Sequence, residues 1–183
     1  MKHLGGYANG GDLNTWSPEI WDYLIEKYNP MSCLDVGCGE GQSLEYFMKN
    51  KIGLRGLGVE GMQKAINDSP ISENIKKHDF IEGEFITDDT FDMCWCCEFV
   101  EHVEEKYMDN FLNLFMKCKV VAMTHAVPGQ PGHHHVNCKS SEYWIKNMSD
   151  RGFDYIEESV DIRNLTKAKH VRNTLLIFVN KKL

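Results

Sequence analysis

Cys33-Leu34-Asp35-Val36-Gly37-Cys38-Gly39-Glu40-Gly41 is the stretch that decides how this chain folds. An apolar run ends in an acid, three glycines alternate through a turn, and an amphipathic segment begins at Gln42. Glycines at this spacing remove side chains where the backbone must turn sharply and approach a ligand closely. The acid narrows the choice of ligand. A carboxylate at the strand end would repel the pyrophosphate of a dinucleotide at that first turn. It would attract a ligand carrying an ammonium group. S-adenosylmethionine (SAM) is such a ligand, so the stretch points to methyl transfer.

Outward from this turn, strand-like and helix-like segments alternate, the pattern of a parallel sheet flanked by helices. Pro18 to Tyr28 reads as a helix, with Ser17 as N-cap, Pro18 at the first helical position and Asn29-Pro30 as the stop. Strands are expected over Ser32–Val36, Leu54–Val59, Ile75–His78, Phe91–Cys96 and Val120–Thr124. Helices are expected over Gln42–Lys49, Met62–Asn67, Tyr107–Lys117 and Ser140–Arg151, the last stopped by Gly152. Phe153–Ile162 and Thr174–Val179 read as two further strands joined by a charged loop, a hairpin that makes one of them antiparallel.

A length of 183 residues fits one domain over 1–183, with Met1 to Thr15 as a mobile lid or a disordered tail. The polar, Gly-rich N-terminus lacks a signal-peptide core, and no apolar run approaches the ~20 residues of a membrane span. A cytoplasmic protein with no membrane partner is therefore expected. The net charge of −7 argues against a broad nucleic-acid footprint. The seven cysteines then read as reduced thiols. Cys94-x-x-Cys97 has a metal-ligand spacing, but residues 94 and 97 of one strand point to opposite faces. Buried strand cysteines are the better reading.

Ligands of an open α/β sheet bind beyond the carboxyl ends of its strands, so those ends are read as a set. The first ends in Asp35 and the glycine turn, the second in Glu60-Gly61, the third in Asp79-Phe80, and the fourth in Cys97-Glu98, with Glu101 and His102 just beyond. A carboxylate at Glu60 can accept from two ribose hydroxyls, as it would in an NAD site too. Asp79 can accept from an adenine amine while Phe80 packs on the base. Each acid alone is equally consistent with a solvated loop residue or a helix cap. The ordered series is not.

Asp35-Val36-Gly37-Cys38-Gly39-Glu40-Gly41, Gly58-Val59-Glu60-Gly61, His78-Asp79-Phe80 and Phe91-Asp92-Met93 through Glu98-Phe99-Val100-Glu101-His102-Val103 together resemble the class I SAM-dependent methyltransferases, in the small group related to quinone-biosynthesis enzymes. The resemblance covers about Pro30 to His125 well and the C-terminal strands in outline. It implies a Rossmann-like, doubly wound, mostly parallel seven-stranded sheet of order 3-2-1-4-5-7-6, strand 7 antiparallel, with helices on both faces. It also implies a cofactor site with Asp35, Gly37 and Gly39 around the methionine part of SAM, Glu60 at the ribose and Asp79 at the adenine, with Cys38, Gly41, Gly61 and Phe80 as further cofactor contacts. Cys97 and Glu98 then lie where cofactor meets acceptor, and the product is S-adenosylhomocysteine (SAH).

Beyond the fifth strand runs Thr124-His125-Ala126-Val127-Pro128-Gly129-Gln130-Pro131-Gly132-His133-His134-His135-Val136-Asn137, an irregular loop fixed by Pro and Gly. Some methyltransferases resembling those of bacterial polysaccharide gene clusters carry a similar Pro-Gly-Gln and His-His-x-Asn followed by Tyr-Trp, here Tyr143-Trp144. His125, Gln130, His133, His134, His135 and Asn137 are the candidate acceptor contacts. His102, His133, His134 and His135 are the candidate bases. A loop held by His-to-backbone hydrogen bonds is an equal alternative, and His102 can instead orient Glu98 four residues earlier. No metal is assigned, because three adjacent histidines rarely face one ion and no carboxylate stands beside them in sequence. Arg163, Lys167, Lys169 and Arg172 form a basic stretch that either steers an anionic acceptor or is a solvated turn.

The expected activity is SAM-dependent methylation of a small molecule, at oxygen rather than nitrogen, by a monomer or homodimer. The sequence lacks Asn-Pro-Pro-Tyr after the fourth strand and a Pro-Cys nucleophile, the marks of DNA methylation. The rivals are an NAD-dependent oxidoreductase, which wants G-x-G-x-x-G, and a SAM-binding module without turnover.

Overall fold

The computed structural model describes residues 3, 4, 6 and 9–183. Helix α1 (Pro18–Tyr28) begins with Pro at its first turn and ends at Asn29, a left-handed C-cap with φ of 45° whose N–H donates to the Ile25 carbonyl. Ser17 is at the N-cap position, but its hydroxyl turns back to the Thr15 carbonyl. Then come β1 (Ser32–Val36), α2 (Gln42–Asn50), β2 (Arg55–Glu60), α3 (Gln63–Asp68), β3 (Ile75–Lys77), β4 (Phe91–Cys96), α4 (Met108–Phe115), β5 (Cys118–Met123) and α5 (Ser141–Asp150). The chain closes with β6 (Phe153–Tyr155), α6 (Ser159–Ile162), α7 (Lys169–Thr174) and β7 (Leu176–Asn180).

The seven strands form one sheet of order β3-β2-β1-β4-β5-β7-β6. The β1–β2, β1–β4, β2–β3 and β4–β5 pairs are parallel, and β7 runs antiparallel to both β5 and β6. This is the expected Rossmann-like order. Strand periodicity divides the core between two faces. Leu34 and Val36 join Phe111 and Phe115 of α4 and Trp144 of α5 on one face. Cys33, Met93 and Trp95 join Trp21 of α1, Phe47 of α2 and Val171 of α7 on the other.

One expected element changes character. The strand expected over Phe153–Ile162 stops at Tyr155, and the connection to β7 is helical rather than a hairpin loop. Ile162, Ala168 and Val171 are buried against the α1 face of the sheet, together with Ile177. A wound segment delivers these apolar side chains to the sheet while the charged residues between them stay in solvent. The antiparallel run of β7 survives, because the excursion returns to the same edge of the sheet.

Chain order reverses between β1 and β4, which sit side by side while their continuations run to opposite edges. Such a switch point opens a crevice beyond the strand ends, and the glycine turn occupies it.

Candidate active site

A cavity of about 370 Å³ lies over the carboxyl ends of β1, β2 and β4. The glycine turn forms its floor. Gly37, Gly39 and Gly41 have φ of 71°, 55° and 78°, in the left-handed region that glycine adopts without strain. A Cβ on Gly37 would also overlap the Phe99 ring. Gly41 caps α2 and packs toward Ile71 and Ile75 rather than lining the cavity. The Gly37 and Cys38 amides donate to the Val59 carbonyl, which ties the turn to β2.

Three acids surround this turn, each with partners. Asp35 is 1% exposed and accepts from the Ser43 hydroxyl at 2.5 Å. Burial raises its pKa to about 7; the Ser43 hydrogen bond opposes the rise and the nearby Glu60 adds to it. Glu60 accepts from the Gly39 amide at 2.9 Å with one oxygen and from the Met62 amide at 2.7 Å with the other. Each oxygen keeps a lone pair for a further donor. Burial raises its pKa as well, against the pull of the Met62 and Gly39 amides. Asp79 accepts from His3 Nε2 at 2.7 Å and from the Ile81 amide at 3.1 Å. Phe80 borders the cavity, but its ring is committed to a cluster with His78, Phe99 and Phe111.

Beyond Cys97, the far wall begins with Glu98 at a φ of 50°. Its amide donates to Thr124 Oγ1, whose hydroxyl in turn reaches the Glu98 carboxylate, each at 2.8 Å. The other Glu98 oxygen faces His170 Nδ1 at 3.2 Å. His170, at the start of α7, is thus the histidine that pairs with Glu98; His102 does not. Gln130, His133 and His135 reach the cavity, His133 also facing the Leu4 carbonyl at 3.2 Å. Burial and the neighbouring His135 push the His102 pKa down to about 4, so its ring is a neutral lone-pair donor at pH 7.

Three loop residues lie away from the cavity. His125 is 1% exposed; Nδ1 donates to the Ala126 carbonyl at 3.3 Å and Nε2 accepts from the Ser141 hydroxyl at 3.0 Å. Burial lowers its pKa, and it acts as a satisfied core histidine. Asn137 is buried, donates to the Val100 carbonyl at 3.4 Å and anchors the loop. His134 has a φ of 48° and turns toward His3. Their shared Pro-Gly-rich loop hid this division, because irregular backbone has no period from which to read direction.

Ser43, Trp16, Trp21, Trp95 and His170 line the cavity without having been singled out as site residues. Ser43 was the most legible of them, as a hydroxyl in the first turn of the helix after the glycines. Glu101 carries the largest surprise. It is 0% exposed, and neither carboxylate oxygen has a hydrogen-bond partner of good geometry. Burial and the adjacent Glu98 raise its pKa to about 8, while its own amide and that of Ala126 pull the other way. Ligand atoms of Glu101, His102 and His135 all lie within 4.8 Å of one another, a group able to hold a metal ion. The missing carboxylate beside the histidines is thus supplied from another part of the chain.

Residues 34–118 match the family described as methyltransferase domain. The N-methyltransferase NodS of Bradyrhizobium japonicum WM9, crystallised with SAH, is similar with a TM-score of 0.66 at 15% identity, over 90% of this chain and 85% of that one. The plantazolicin methyltransferase BpumL with SAH has a TM-score of 0.62 at 16% identity, over 90% of this chain and 83% of that one. The O-methyltransferase of a trans-AT PKS multienzyme of Brevibacillus brevis with SAH has a TM-score of 0.62 at 14% identity, over 91% and 72%. At these identities the likeness is one of fold. No curated protein matches the sequence. The family match falls on the strands and turns that build the cavity floor, so that part of the chain is similar to a methyltransferase domain, and the sheet order agrees with the fold of these neighbours.

Proposed function

We propose that this chain moves the methyl group of SAM to an oxygen of a small, anionic acceptor. The observation that carries the reading is the continuity of the cavity. It runs from Asp35, Glu60 and Asp79 at one end to Glu98, His133 and His135 at the other. In this reading the ammonium group of SAM takes the place of a proton on Asp35. The ribose hydroxyls use the free lone pairs of Glu60. The adenine amine replaces His3 at Asp79. Gly37, Cys38, Gly39 and Gly61 let the cofactor approach the backbone, and Cys97 borders its sulfonium end.

Gln130, His133 and His135 then contact the acceptor. The exposed Lys167, Lys169 and Arg172 on the α7 side attract its negative charge over the distance that salt permits. Methyl transfer is an in-line displacement: the acceptor oxygen forms its bond to the methyl carbon as the carbon–sulfur bond breaks. The acceptor proton leaves to a base, for which His133 and His135 are the candidates on the wall. Holding the two reactants in line supplies much of the rate. Among the described residues no helix is long and apolar enough to cross a membrane. The seven cysteines are all unpaired, in keeping with the reducing cytoplasm.

The test is a SAH-release assay over sugar phosphates, nucleotide sugars, phenols and quinone precursors, with the methylated atom fixed by NMR. An O-methylated anionic product supports the reading. Methylation only at nitrogen or carbon overturns the oxygen assignment. SAH binding without turnover on any class reduces the chain to a binding module, and NADH binding in place of SAH overturns the cofactor.

A further inference from the structure

We infer that Glu101, His102 and His135 form a binding site for a divalent first-row transition-metal ion at the acceptor end of the cavity. The first support is proximity. Ligand atoms of the three side chains lie within 4.8 Å of one another, although His135 comes from a loop more than 30 residues beyond the other two. Backbone hydrogen bonds fix that approach: the Val136 and Asn137 amides both donate to the Glu101 carbonyl, at 2.9 and 3.0 Å.

The second support is an unmet need. Glu101 is fully buried with neither oxygen in a hydrogen bond of good geometry, the Glu101 and Ala126 amides offering only partial compensation, and His102 Nδ1 is buried without such a bond beside it. Buried polar groups in folded proteins nearly always have partners, and a buried carboxyl without one is costly. A cation resolves both deficits at once. The third support is orientation. His135 Nδ1 is 3.1 Å from the Gln130 carbonyl, to which it must donate, so Nε2 carries the lone pair. This is how a backbone acceptor usually sets the tautomer of a ligating histidine. Gly132 leaves the space for that ring, and a Cβ there would overlap it.

Two imidazoles and one carboxylate suit Mn²⁺ through Zn²⁺ better than Mg²⁺ or Ca²⁺. His102 and His135 both border the cavity, so the remaining coordination positions open toward the acceptor. An acceptor hydroxyl bound there would lose its proton more readily and be held for in-line attack. That consequence rests on the methyltransferase reading; metal binding does not.

The experiment uses the full chain stripped with EDTA. Co²⁺ is titrated and followed by its visible ligand-field bands, with Zn²⁺ and Mn²⁺ in calorimetry and SAH binding measured on the same samples. One ion per chain is expected, with affinity falling about 100-fold or more in His135→Gln and Glu101→Gln and at least about 10-fold in Gly132→Ala. His134→Ala, outside the cluster, should leave affinity unchanged. Retained SAH binding shows that a variant is folded; if Glu101→Gln loses it, His135→Gln and Gly132→Ala decide. Failure of all three ions to bind the wild type below about 1 mM overturns the proposal. Unchanged Co²⁺ affinity in folded His135→Gln and Gly132→Ala does so too. Metal binding without SAH binding sinks the methyltransferase reading and leaves the metal site standing.

Discussion

The two ends of the cavity differ in how their acids are satisfied. At the glycine turn, Asp35, Glu60 and Asp79 each meet hydroxyl, amide or imidazole donors, and all three lie within two residues of a strand end. At the opposite end, Glu98 is held by Thr124 and His170, while Glu101 is buried without a partner beside two histidines. The first end is complete as it stands and awaits a ligand that exchanges hydrogen bonds. The second is incomplete until something charged or polar enters. One end is built from local sequence, the other from distant segments.

The sharpest way to break the first end is Gly37→Ala. The new Cβ would overlap Phe99 in a backbone conformation with φ of 71°. SAH affinity should fall by about 100-fold, roughly 3 kcal/mol, in calorimetry. An unchanged affinity would show that the turn is not the floor of the cofactor site.

Asp35→Asn comes next, weakening SAH about 10- to 30-fold at pH 8 by removing a charge-assisted hydrogen bond. With a pKa of about 7, the Asp35 carboxyl is mostly protonated at pH 6 and ionised at pH 8. Wild-type affinity should therefore rise across that interval and be flat in the variant. The sign for ligand-free stability is opposite. The native pKa is raised from 3.8 to about 7, so this group's contribution is full below about pH 4 and lost as pH rises through 7.

Glu101→Gln separates the two ends. At pH 9, above its pKa of about 8, the wild-type side chain is a buried anion beside Glu98 with no hydrogen bond of good geometry. The metal-free variant should then be more stable by on the order of 1 to 3 kcal/mol, a rise of several degrees in a thermal melt. A lower melting temperature at that pH would mean that the carboxylate is already satisfied. The smallest effect belongs to Lys167, Lys169 and Arg172 replaced together by Gln. Acceptor KM should rise a few-fold, with a flatter salt dependence and SAH affinity unchanged.

Much of this contrast is legible in the sequence. Asp35, Glu60 and Asp79 could be placed because each terminates or follows a periodic apolar strand, and strand ends converge in a parallel sheet. His125 and Asn137 misled because the loop after β5 has no period, so nothing in it distinguishes a residue aimed at the cavity from one aimed at the core. The stretch Phe153–Ile162 misled because its β-branched residues suit a strand locally, whereas burial of Ile162 beside Val171 and Ile177 favours a wound chain.

What the sequence determined by itself was the sheet, its switch point and the acids set around the glycine turn. These depend on short-range features: alternation, glycines at fixed spacing, and an acid two residues before the first of them. What only the tertiary structure decided was the far wall of the cavity. Glu101 gains His135 as a neighbour and Glu98 gains His170 through folding across 34 and 72 positions. No local pattern encodes such pairings, because the packing of the loops on the finished sheet brings them together.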